Sequence, residues 1–216
     1  MNRHEQVQMM LDHKLIAVVR SPDGDKLVEV AKALLAGGIP ILEITLTVPD
    51  ALEVIRRVRN ALGDNVLLGA GTVLDAETAR AALLAGAEFI VSPITNLEVI
   101  RLCRRYDKPI LPGAFTPTEI VTAWENGADI VKVFPADVGG PNYFKALAGP
   151  LPQVRIMPTG GVDLTTAASF LQAGACCLGL GSALVDKKAV AAGDMNRIRT
   201  LAEQYVAVVR EATTRA

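Results

Sequence analysis

Four times along this chain a helix-like stretch ends in glycine and runs straight into an apolar segment: Gly37-Gly-Ile39, Gly86-Ala-Glu-Phe89, Gly127-Ala-Asp-Ile130 and Gly174-Ala-Cys176. Glycine just past a helix allows the left-handed turn that ends it. The glycines stand 49, 41 and 47 residues apart, counted from Gly37 to Gly86 to Gly127 to Gly174. Each interval holds two strand–helix units, so four such quarters make eight strands. Eight strands, each followed by a helix, is the count of an α/β fold of the (β/α)8 TIM barrel type.

The pattern places strands at Leu15–Arg20, Ile41–Leu46, Val66–Ala70, Phe89–Ser92, Pro109–Pro112, Ile130–Phe134, Val154–Pro158 and Cys177–Leu180. Amphipathic stretches fall between them at Asp25–Ala36, Pro49–Leu62, Ala76–Ala85, Leu97–Tyr106, Thr118–Glu125 and Leu164–Ala173. A short helix at Glu5–Asp12 precedes the first strand, and Asp194–Glu211 forms the last helix. The alternative is an open doubly wound sheet, which usually stops at five or six strands. The expected organisation is one barrel domain over residues 1–216. Its core draws on Val, Ile, Leu and Ala, because half the residues are hydrophobic and only 4% aromatic.

Several function classes drop out. Net charge is -1, so a nucleic-acid-binding face has no compositional support. The opening Met1-Asn-Arg-His-Glu-Gln6 lacks the apolar stretch of a signal peptide, and no apolar run reaches the length of a membrane span. A cytoplasmic protein that does not engage membranes is the expectation. Cys103, Cys176 and Cys177 are odd in number and two are adjacent, which suits buried thiols rather than a disulfide framework. The two histidines, His4 and His13, lie near the start, so neither a zinc site nor a histidine-based triad can be assembled. No metal is expected.

Lys132 sits alone in an apolar run, Asp129-Ile-Val-Lys-Val-Phe-Pro135. Desolvation pushes a lysine toward its neutral amine, and a neutral amine attacks ketones. The competing reading is a lysine that snorkels to water or pairs with a buried carboxylate. Alternation turns Val131 and Val133 outward, and Ile130, Lys132 and Phe134 inward. On the second strand the same rule packs Leu42, Ile44 and Leu46 against helices and turns Glu43 inward with Ile41 and Thr45. A carboxylate inside a barrel is costly unless paired or catalytic. Lys132 and Glu43 therefore belong to one site, either a structural ion pair or a Schiff-base pair in which the carboxylate moves protons.

Active sites of such barrels lie at the C-terminal strand ends. Strand 7 ends in Met157-Pro-Thr-Gly-Gly-Val162, with a helix expected near Asp163, and strand 8 ends in Gly179-Leu-Gly-Ser182. Two glycine turns after the last two strands match the common phosphate site of these barrels. Strand 3 ends in Gly69-Ala-Gly-Thr72, where Thr72 can donate to a carboxylate. Thr116 or Thr118 caps the helix that follows strand 5, with Pro117 in its first turn. Arg20 ends strand 1, as a rim guanidinium of the site or as an ordinary surface arginine.

In order, Glu43-Ile-Thr-Leu46, Gly69-Ala-Gly-Thr-Val73, Ser92-Pro93, Pro112-Gly113, Thr116-Pro-Thr-Glu119, Lys132-Val-Phe-Pro-Ala136, Pro158-Thr-Gly-Gly161 and Gly181-Ser182 run through nearly the whole chain. This set resembles the class I 2-keto-3-deoxy-6-phosphogluconate (KDPG) aldolases, which also act as 4-hydroxy-2-oxoglutarate (KHG) aldolases. The resemblance implies cleavage of KDPG to pyruvate and glyceraldehyde 3-phosphate, within the Entner–Doudoroff pathway of carbohydrate metabolism. It implies that Lys132 forms the imine with pyruvate and that Glu43 is the general acid and base, acting through a bound water. Thr72 would meet the pyruvate carboxylate and Thr159 a substrate hydroxyl. Gly160, Gly161, Gly181 and Ser182 would hold the phosphate, and Pro93 and Phe134 would also contact substrate. No cofactor is implied, because the iminium is the electron sink. A homotrimer is implied.

One position departs from the pattern. Many members carry an arginine four residues after the glutamate, where this chain has Thr47. Threonine lacks the bidentate charge-assisted grip, so Arg20 is the candidate for the missing charge. Rival readings are a 2-keto-3-deoxy-6-phosphogalactonate aldolase, a phosphate-binding barrel isomerase or epimerase without a covalent step, and a non-catalytic phosphosugar-binding protein.

Overall fold

A computed structural model describes residues 1–214. The chain opens with helix α1 (Arg3–His13) and then alternates: β1 (Leu15–Val19), α2 (Leu27–Ala36), β2 (Ile41–Thr45), α3 (Ala51–Leu62), β3 (Leu67–Gly71), α4 (Ala76–Leu84), β4 (Phe89–Val91) and α5 (Leu97–Arg105). There follow β5 (Ile110–Leu111), β6 (Gly113–Ala114), α6 (Pro117–Glu125), β7 (Val131–Val133), α7 (Gly140–Ala148), β8 (Ile156–Pro158), α8 (Ala167–Gln172), β9 (Leu178–Leu180), α9 (Lys187–Ala192) and α10 (Met195–Thr214). All strand pairs are parallel.

The strands close into the expected barrel, with nine segments in eight positions. One sheet runs β5-β4-β3-β2-β1-β9 and a second runs β6-β7-β8. The expected strand Pro109–Pro112 is in fact two, because Pro112 has no N–H to donate to the ladder. Its carbonyl still accepts from the Lys132 amide at 2.9 Å, so the chain passes from one sheet to the other without losing the neighbouring strand. On the opposite side a bridge between Thr159 and Gly179 joins β8 to β9.

Two apolar clusters fill this frame. The larger lies between strands and helices and contains Leu42, Ile44, Val131 and Val133. The smaller fills the barrel interior with Ile16, Ile41, Leu67, Phe89, Val91, Leu111, Ile130, Met157 and Cys177. Helix α1 covers the N-terminal end and adds Met10 to that interior cluster. It starts with a capping box between Asn2 and Glu5, and Arg3 ties it to Asp129 at 3.1 Å. At the other end of the chain α10 packs on α2 and α8.

The alternation rule sorted the faces correctly, but several boundaries moved. Gly38 at φ 91°, and not Gly37, takes the left-handed turn after α2; Gly86, Gly127 and Gly174 do so at φ 111°, 100° and 100°. Thr116 caps α6 through a capping box with Glu119, with Pro117 at its start. The helix expected near Asp163 begins only at Ala167. The Asp163 carboxylate accepts from the Thr165 and Thr166 amides at 2.8 and 3.0 Å, which holds those residues in a turn instead. Helix α7 has no counterpart among the expected helical stretches; Phe144 and Leu147 bury its inner face, with Phe144 edge-on to Phe170.

Candidate active site

The interior changes character one strand step above the apolar cluster. Register places Val18, Glu43 and Gly69 side by side, and Gly113 beside Lys132. Thr159 lies just past β8, two residues after Met157, the register partner of Lys132, and pairs with Gly179. This layer therefore holds three polar side chains, all buried: Glu43 at 0%, Lys132 at 5% and Thr159 at 7% exposure.

None of the three is satisfied by the protein. Five side-chain atoms among the described residues are buried without a partner, and three are here: both carboxylate oxygens of Glu43 and the Thr159 hydroxyl. Lys132 forms no ion pair among the described residues. Its Nζ lies 5.5 Å from the centre of the Phe134 ring. No contact within 4.0 Å joins Lys132 and Glu43, which weighs against the structural ion-pair reading, although the Lys132 charge still acts on Glu43. Burial pushes the Glu43 carboxyl above its ordinary value, and the charges of Lys132 and Arg20 oppose that rise. A buried carboxylate left unpartnered costs about 1–3 kcal/mol or more, so packing alone gives no reason for Glu43 at this position.

Glycines make the room. A Cβ at Gly71 would run into the Glu43 carboxylate, and one at Gly179 would run into the Thr159 hydroxyl. Both glycines stand in the strand-end motifs of the sequence, though neither is among the expected site residues. The signal was there: Gly69 and Gly71, like Gly179 and Gly181, repeat at the two-residue period of one strand face.

Above this layer opens a cavity of about 340 Å³. The expected residues Arg20, Phe134, Thr159, Gly160, Gly161, Gly181 and Ser182 all line it. Gly160 and Gly161, whose amides are the expected phosphate donors, adopt φ 89° and 69°, a conformation open to glycine. These amides belong to a turn rather than to a helix start. Phe134 also walls a second hollow of about 360 Å³, which Pro93 lines with Ile94 and Phe115.

Four expected residues line neither hollow: Glu43 and Lys132, which are buried, and Thr47 and Thr72. Thr47 is exposed, with its hydroxyl 3.0 Å from that of Thr45. Thr72 is half-buried just past β3 and holds φ 60°, a strained conformation for a β-branched residue. Lys187 and Asp163, which are not among the expected site residues, also line the cavity. Cys103 lies outside the site, and burial pushes its thiol up to about 12, which suits an inert core thiol. No helix among the described residues is long and apolar enough to cross a membrane.

Known proteins place this geometry. The family described as KDPG and KHG aldolase matches residues 7–201. A 2-dehydro-3-deoxy-phosphogluconate aldolase of Treponema pallidum (strain Nichols) is 40% identical over 91% of this chain and 93% of its own. A 2-dehydro-3-deoxy-6-phosphogalactonate aldolase of Escherichia coli (strain K12) is 36% identical over 92% of this chain and 95% of its own. The crystal structure of the Legionella pneumophila KDPG aldolase, with pyruvate captured as a covalent carbinolamine, superposes with a TM-score of 0.86 at 30% identity, covering 92% of this chain and 96% of that one.

Proposed function

The chain belongs to the KDPG and KHG aldolase family and is a carbon–carbon lyase, and from that premise we propose that it cleaves KDPG to pyruvate and glyceraldehyde 3-phosphate through an imine on Lys132. The observation that carries the reading is the pair of buried, mutually unbonded groups Lys132 and Glu43 beneath a cavity edged by two glycine turns.

The Lys132 amine attacks the C2 ketone to give a carbinolamine, and loss of water gives the iminium. Glu43, protonated more readily than an ordinary carboxyl, gives the proton that lets the hydroxide leave. As a carboxylate it then takes the proton of the C4 hydroxyl; the C3–C4 bond breaks, and its electron pair moves into the enamine. Protonation at C3 and hydrolysis release pyruvate and free Lys132. The amides of Gly160, Gly161, Gly181 and Ser182 hold the phosphate, and the free hydroxyl of Thr159 meets a substrate hydroxyl. Thr72, Pro93 and Phe134 shape the pyruvate end. Arg20, whose field reaches Glu43, supplies the carboxylate's counter-charge that Thr47 cannot. Replacing Arg20 with alanine should slow pyruvate proton exchange; unchanged exchange would remove Arg20 from that role.

The same site serves KHG, which yields pyruvate and glyoxylate. The galactonate epimer is a second substrate, given the Escherichia coli relative; one hydroxyl at Thr159 biases C4 stereochemistry without giving absolute selectivity. The proposal extends to a homotrimer of one-domain barrels over residues 1–216, working in the cytoplasm within the Entner–Doudoroff pathway. Borohydride reduction with pyruvate tests the core of it. The pyruvate adduct must appear on the peptide carrying Lys132 and disappear in Lys132→Met; an adduct on another lysine refutes the assignment.

A further inference from the structure

Asp163 puts a negative charge into the wall of the cavity that is to receive a phosphate. Its carboxylate is locked by the Thr165 hydroxyl at 2.6 Å and by the amides of Thr165 and Thr166, and these bonds hold it below the usual carboxylate range. The amides of the glycine turns carry only partial charges. Arg20 is the counter-charge at the carboxylate end. The cavity wall carries two cations, Arg20 and Lys187; with Arg20 assigned to the carboxylate end, Lys187 remains for a dianion seated at the turns.

Lys187 is free to act. It is exposed, lines the cavity, and forms no ion pair among the described residues. Its neighbour Asp186 is engaged elsewhere, accepting from the amides of Lys188 and Ala189 at 2.7 and 3.0 Å. We propose that Lys187 is a specificity residue: its ammonium pairs with the phosphoryl group at the Gly160-Gly161 and Gly181-Ser182 turns and so favours phosphorylated over unphosphorylated 2-oxo acids. This rests on the aldolase reading. The chemistry explains the direction. KDPG carries its phosphate at C6, far enough from the imine carbon to reach the cavity wall. KHG carries its second carboxylate directly on C4, three bonds from the imine carbon, whereas the KDPG phosphorus stands six bonds away.

The test is the ratio of kcat/KM for KDPG to kcat/KM for KHG in the wild-type chain, Lys187→Met and Lys187→Arg. Removing one partly exposed charge-assisted contact should lower that ratio about tenfold in Lys187→Met, and Lys187→Arg should restore most of it. Raising salt should shrink the difference. Calorimetry with inorganic phosphate reads the same contact without turnover, with affinity falling about tenfold in Lys187→Met. An unchanged ratio, or equal phosphate affinity in the two chains, overturns the role of Lys187. Failure of borohydride trapping in the wild-type chain would instead strike the aldolase reading and leave the phosphate measurement to decide Lys187.

Discussion

Ile130 and Lys132 look into the same barrel from the same stretch of chain, two residues apart. Around Ile130 every inward position is apolar and filled, from Ile16 and Ile41 to Phe89 and Met157, with Met10 of α1 closing the end. Lys132 stands between Gly113 and Met157 in register, and Glu43 between Val18 and Gly69; here both Glu43 carboxylate oxygens and the Thr159 hydroxyl are buried without partners. The lower layer is what packing alone selects. The upper layer breaks that rule repeatedly on adjacent strands, and it does so where the cavity opens. One scaffold thus separates stability from chemistry over a single strand step, as barrels of this kind do between their two faces.

The sharpest way to break the contrast is Lys132→Met. Met has similar length and no charge to bury. Activity should fall on the order of 10⁴-fold or more, as when a covalent nucleophile is lost, while the melting temperature holds or rises. A large drop in melting temperature would show that Lys132 is structural after all.

Glu43→Gln comes next, with a loss of about a thousandfold in kcat, the range of a positioned acid–base group. It carries a pH signature as well. Burial raises the Glu43 carboxyl in the folded chain above 4.5. Between the unfolded and folded values the folded chain holds a proton that the unfolded chain has released, so stability declines as pH rises through that window. Glutamine has no such titration. Denaturation of both chains across pH should show Glu43→Gln gaining on the wild type from pH 4.5 upward; parallel curves would mean that Glu43 ionises normally.

Much of this was legible in the sequence because it follows from periods. Alternation on β2 and β7 placed Glu43 and Lys132 inward, and the helix-ending glycines counted out the barrel. What stayed hidden depends on contacts between distant segments. Nothing local to Pro112 says that the chain resumes pairing at Gly113 with a new neighbour. Asp163 reads as a helix start until its carboxylate is seen holding Thr165 and Thr166 in a turn. Helix α7 opens with Gly140-Pro141, which reads as a break, and it exists because Phe144 finds Phe170. Lys187 is one more surface lysine until the turn at Gly181 brings it to the cavity.

Gly71→Ala probes how the upper layer keeps its room. The new Cβ would meet the Glu43 carboxylate, so Glu43 has to move. A displacement near 1 Å costs about a hundredfold in rate, and crowding costs about 1–3 kcal/mol of stability. Borohydride trapping should slow in proportion to turnover if Glu43 assists imine formation. Trapping at full speed with slow turnover would confine Glu43 to the later proton transfers.

Ile130→Val should give the smallest effect. It removes one methylene from the filled layer, two residues below Lys132. Such a deletion costs about 0.5–1.5 kcal/mol. Because the lower layer touches no reacting group, kcat and KM for KDPG should stay within about twofold of wild type at temperatures where the chain remains folded. Along this strand the two layers are coupled through the backbone between Ile130 and Lys132, which is held on both sides by ladder bonds: Val131 N–H to the Arg155 carbonyl at 2.7 Å and Lys132 N–H to the Pro112 carbonyl at 2.9 Å. Those bonds fix where the lysine stem leaves the strand, whatever fills the space beneath. A kinetic loss in Ile130→Val beyond the stability change would mean that the packed layer also sets the position of Lys132, and that chemistry and stability share the strand more closely than their separation into layers implies.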